Sequence, residues 1–119
     1  MYVSDQEEKV ITKAGLAVGD LRQFAELGEF HACAADGVIA AARLITRIED
    51  DLRGKIQQAR RDLECADAAL TAREAINGHG VLQSTATEID VLTARRADAY
   101  TRLAAACRTA AALLAPART

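Results

Sequence analysis

From Asp36 to Ile76 the chain runs for 41 residues without a proline, and its apolar side chains recur at Val38, Ala41, Ile45, Ile48, Leu52, Ile56, Ala59, Leu63, Ala66 and Leu70. At 100° per residue those ten positions share an arc of roughly 80°, the narrow stripe that one helix lays against another. One long amphipathic helix follows, and such a helix needs a partner to bury its stripe. Steps of three and four residues run from Ile45 to Leu70 and include one eleven-residue passage through Leu52 and Ile56, a stutter that locally relaxes a left-handed supercoil.

The rest of the 119 residues favours the same class. The single proline, Pro116, stands three residues from the C-terminus, where it is expected to fray the last helix, and the seven glycines leave long intervals without a breaker. Half of the residues are hydrophobic, yet aromatics make up only 3% and alanine dominates the apolar set. Alanine is the best helix former but buries little area, so the sparse large side chains must supply most of the core. The expectation is an all-α fold in one domain, 1–119, near the size at which a second chain often completes a core.

Composition also narrows the function classes. A net charge of −2 speaks against general nucleic-acid binding, which needs a clustered basic excess. Met1 to Glu8 has neither the basic n-region nor the apolar h-region of a secretory signal, and charge interrupts every apolar run before the ~18 residues of a membrane span. Three irregularly spaced cysteines form no closed disulfide framework, so a cytoplasmic location is expected.

Start and stop signals divide the chain into three helices. Ser4 with Glu7 is a capping box that opens a first helix over about 5–27, with a stripe of Val10, Ala14, Ala17, Val18, Leu21, Phe24 and Ala25 and a stop at Gly28. Asp36 caps the long helix, 36–76, which ends in a turn at 77–80, Asn77-Gly78-His79-Gly80. Thr85 with Glu88 is a second capping box, opening a helix over 85–114 whose stripe is Leu82, Ile89, Leu92, Tyr100, Leu103, Cys107, Ala110 and Leu114. A four-residue turn makes the last two helices an antiparallel, coiled-coil-like hairpin, with the shorter first helix packed on it as a three-helix bundle. The first helix reaches only to about Ala59, so the tip of the hairpin is either bare and polar or covered by another chain.

Catalytic and metal motifs do not survive the spacing test. His31 and Cys33 sit at i and i+2, on different sides of a helix, whereas helical ligands sit at i and i+3 or i+4. Cys65, Cys107 and His79 complete no ligand set, and no Glu-x-x-His pair occurs. Neither histidine has a nucleophile at a marking distance. No catalytic residue, metal or cofactor is therefore expected. Gly15 and Gly19 match G-x-x-x-G, but they fall on the polar side of the first helix and lower its stability by about 1 kcal/mol each. The run from Arg47 to Lys55 resolves into Glu49 with Arg53 and Asp51 with Lys55, pairs of a solvated helix face. Arg96 is different, because it interrupts the last stripe between Leu92 and Tyr100. The tight turn sets it level with Leu63 to Asp67, where it either pairs with Glu64 or Asp67 or extends from the seam into water.

Two helical families of similar size fail at their defining residues. The Trp-x-Gly turn of the type VII secreted hairpins is replaced by the Asn77 turn, and His31 is not followed by the His-x-x-Lys-Gly pattern of histidine phosphotransfer domains. The best-supported function is a non-enzymatic protein interaction or assembly module, self-associating as a dimer or docking into a larger assembly. Its expected seam is Ile45, Ile48, Leu52, Ile56, Leu63 and Leu70, with Ile89, Leu92, Arg96, Tyr100 and Leu103 on the last helix. Two alternatives stay open: an oligomeric bundle with a small-ligand or catalytic pocket between chains, and a nucleic-acid-associated subunit using Arg60, Arg61, Arg95 and Arg96.

Overall fold

The capping box at the start of the chain forms as the sequence requires: the Glu7 N–H donates to Ser4 Oγ at 3.2 Å and the Ser4 N–H donates to Glu7 Oε1 at 3.0 Å. It opens the first of four helices in the computed structural model, which describes residues 2–114. These are α1 (Asp5–Lys13), α2 (Val18–Ala25), α3 (Glu29–Ala72) and α4 (Thr85–Leu114), and no strand occurs among the described residues. The all-helical class, the long central helix and the bounds of the last helix agree with the sequence. Pro116 and the side chain of Leu114 lie outside the described residues.

The first expected helix, 5–27, is corrected to two. Gly15 takes φ +98°, a conformation closed to most side chains, and the chain restarts at Val18 without a side-chain cap. Two low-propensity glycines make the continuous helix easy to break, and the break lets Val10, Ile11, Val18, Leu21 and Phe24 all become buried. Ala14 and Ala17, expected on the stripe, are exposed at the bend.

The second helix shifts at both ends. It begins at Glu29, seven residues before Asp36, because nothing from Phe30 to Ala35 resists helix; its first bond runs from the Ala32 N–H to the Gly28 carbonyl at 2.9 Å. It ends at Ala72 because Arg73 turns left-handed, φ 55°. The Glu74 N–H then donates to the Ala69 carbonyl at 2.8 Å and the Arg73 N–H to the Leu70 carbonyl at 3.2 Å, a Schellman closure built on arginine in place of glycine. The Asn77 turn survives inside a longer connection, with the His79 N–H on Asn77 Oδ1 at 2.9 Å. Thr85 opens α4, but its capping box with Glu88 is replaced: the Glu88 N–H donates to the Ser84 carbonyl at 3.0 Å, and the Glu88 carboxylate turns to Lys55 Nζ at 2.7 Å.

The chain divides into two compact units. The first joins α1, α2, α3 as far as Arg47 and α4 from Arg96. Several helical segments meet there, so α3 buries Ala35, Val38, Ile39, Ala42 and Ile45, a face much wider than one stripe, while α4 contributes Ala99, Leu103, Cys107 and Ala110. Glu7 is also buried, its carboxylate 3.4 Å from Arg43 Nε, and Arg43 Nη2 donates to the Tyr2 carbonyl at 2.6 Å. That ties the start of the chain to α3.

The second unit, Ile48–Arg95, holds the rest of α3, the connection and the first turns of α4. Only Ile48, Ala59 and Thr85 are buried among its described residues. The connection lies back along α3, and Ala75, Ile76, Asn77, Val81 and Gln83 close a crevice of about 240 Å³ against Asp62, Cys65, Ala66 and Ala69. Twelve residues, 73–84, are consumed in this way, so α4 meets α3 at Lys55 instead of at the tip.

Candidate interaction surface

Within the second unit, the geometry of α3 explains which part of its stripe is covered. Taking Ile56 as zero, Leu63 and Leu70 follow at about 20° and 40° round the helix, and Ala59 and Ala66 at about 60° and 80°. The alanine edge is the buried one: Ala59 is 7% exposed and Ala66 half-buried. The other edge is open, with Ile56, Leu63 and Leu70 exposed to 42%, 52% and 64%. Small side chains let the neighbouring backbone come close on one side, and the large ones on the other side are left in water. Leu52 is half-buried.

The remaining seam residues separate between the units. Ile45 and Leu103 are core residues of the first unit, at 0% and 1% exposure, and Ile48 is buried in the second. Ile89 and Leu92 are half-buried, as are Arg96 and Tyr100. The Arg96 guanidinium lies over the Tyr100 ring, 4.8 Å from its centroid, one helical turn along α4. Its chain neighbour Arg95, in the second unit, lines a groove with Asp50 and Asp51. The connection of residues 73–84 sets the start of α4 at this height on the second unit's part of α3.

That groove, about 600 Å³, runs between α3 and α4 and is lined by Gly54, Gln58, Thr87, Val91 and Leu92 besides the charged residues Asp50, Asp51, Lys55, Glu88 and Arg95. Both signs of charge share it, and Lys55 and Glu88 are already paired with each other. No group of three or more His, Cys, Asp or Glu that could hold a metal occurs among the described residues. His31 packs edge-on against Phe24, ring centroids 4.8 Å apart. Cys33 and Cys65 are exposed thiols, whereas Cys107 is buried and its thiol is pushed above its ordinary pKa by desolvation. No described helix is long and apolar enough to cross a membrane.

Two exposed apolar features escape the periodicity analysis. Leu27 and Phe30, 55% and 82% exposed, flank Gly28 where α2 gives way to α3. The one-turn spacing of Leu27 and Phe30 was the available signal. Val91, 44% exposed on α4, stands off its stripe. Comparison with known proteins finds no family model, no curated protein and no solved structure that matches the chain.

Proposed function

We propose that the chain is a non-enzymatic, cytoplasmic protein interaction or assembly module that works through the open edge of α3. The observation that carries this reading is the row Ile56, Leu63 and Leu70, three large apolar side chains at seven-residue spacing, each about half in water. Single exposed apolar residues are ordinary, but a regular row on a rigid helix is what a second helix reads. Fully burying a leucine or isoleucine is worth about 1.5–3 kcal/mol, so completing the burial of these three yields roughly 1 kcal/mol apiece on each side of a contact. The exposed thiols of Cys33 and Cys65 fit a reducing compartment. Mixed charge in the groove beside Lys55 gives a small ligand no preferred sign, and acids surround Arg60 and Arg61.

The test is a pair of lysines placed on the row, Leu63→Lys with Leu70→Lys. Both positions are exposed, so helicity by circular dichroism should be kept while association is lost, whether that association is with itself by light scattering or with proteins recovered from its own cell extract. A variant that behaves like wild type in both assays refutes the reading.

A further inference from the structure

We infer that the occupant of the open α3 edge is a second copy of this chain, laid antiparallel so that the two-fold axis passes at Leu63. The inference rests on the interaction-module reading and adds the identity and direction of the partner.

The apolar row is symmetric about its own middle. Ile56 and Leu70 stand seven residues before and after Leu63, so an antiparallel copy sets each Ile56 against the other chain's Leu70 and the two Leu63 side chains against each other over about 21 Å of helix. The flanking charges obey the same symmetry. Arg60, three residues before Leu63, and Asp67, four after it, project on the same free side of the row, about 60° and 40° round from Leu63. Reversal therefore brings each Arg60 against the other chain's Asp67, twice per dimer. Both side chains are exposed, and neither forms an ion pair among the described residues.

A parallel copy forms neither attraction, because its two-fold axis runs along the helices and sets the Arg60 and Asp67 side of one chain against the Ala59 and Ala66 side of the other. A surface that is self-complementary under one rotation is the signature of an isologous contact. The other side of the row, through Ala59 and Ala66, faces the chain's own α4 and connection, so the copy approaches from the side on which Arg60 and Asp67 stand. Cys65 points roughly opposite Leu63 on the helix and takes no part.

The test is sedimentation equilibrium on the full chain under reducing conditions, from about 10 µM to about 1 mM. The samples are wild type, Arg60→Glu, Asp67→Arg, the double variant, and an equimolar mixture of the two single variants. Wild type should approach twice the monomer mass. Each single variant turns two attractions into two repulsions and should weaken dimerisation about tenfold or more. The double variant, and the mixture of singles, should return to within about threefold of wild type, since both recreate opposite charges across an antiparallel contact. Unchanged helicity in every variant removes misfolding as the cause.

A wild-type chain that stays monomeric throughout overturns the inference and leaves the interaction-module reading to the lysine pair above. A dimer whose strength ignores Arg60→Glu and Asp67→Arg also overturns it, and moves the self-contact to another surface such as Leu27 and Phe30.

Discussion

Leu103 and Leu63 are the same residue type on the apolar stripes of long helices, and the structure assigns them opposite energetic roles. Leu103 is 1% exposed in the first unit, and Leu63 is 52% exposed in the second. Replacing Leu103 by alanine removes buried methyl groups and leaves a cavity that its neighbours only partly fill, which costs about 3 kcal/mol within a usual range of 2–5. Replacing Leu63 leaves no cavity, because water takes the space. Roughly half of a 1.5–3 kcal/mol transfer is lost, and alanine's higher helix propensity returns a few tenths, for a net cost of about 0.5–1 kcal/mol. A chain of this length is stable by about 6–18 kcal/mol, so both variants should fold. Urea unfolding followed by circular dichroism at about 1 µM, about tenfold below the range set for association, should show Leu103→Ala lowering the folding equilibrium constant about 150-fold and the melting temperature by about 12 °C, with the slope unchanged. Leu63→Ala should shift the melting temperature by no more than about 4 °C. Equal losses within about 0.5 kcal/mol would show that α3 is covered along its whole length, and would refute the argument from the open edge.

Gly15→Ala should destabilise by about 1 kcal/mol or more, since an added methyl meets φ +98° even though no atom stands within 4 Å; a gain in melting temperature would mean that 5–27 forms one helix after all. Arg73→Gly should stabilise by about 0.5–1 kcal/mol in the same urea assay by relieving the left-handed closure of α3, and a loss would reject that closure. With a thiol reagent at pH 8, Cys33 and Cys65 should react promptly and Cys107 only as fast as the chain opens. Because burial raises the Cys107 pKa, the unfolded chain gives up this proton first. Stability should therefore fall as pH rises from the unfolded thiol's pKa, about 8.5, toward the folded value, and Cys107→Ala should remove that slope.

How legible each part was depends on whether its cause is local. The Ser4 and Glu7 box is closed by atoms three residues apart, and it formed as read. So did the start of α4 at Thr85, yet its expected box did not, because Glu88 found Lys55 on another helix. The break at Gly15 was half legible: its glycines marked a weak helix, but burying both Ile11 and Val18 needed neighbours to bury them against. The end of α3 was not legible, since an arginine in a left-handed closure carries no sequence signal.

The sequence by itself determined the helical class, the long central helix and the direction in which its stripe faces, since propensity, caps and a 3.6-residue period act between near neighbours. It did not distinguish Ile45 from Leu63, because both satisfy the same period on the same helix. Tertiary structure decided that Ile45 is core and Leu63 is surface. Burial depends on how many helices pass a given height, and that number follows from the bend at Gly15, the early closure at Arg73 and the connection folded back over 73–84.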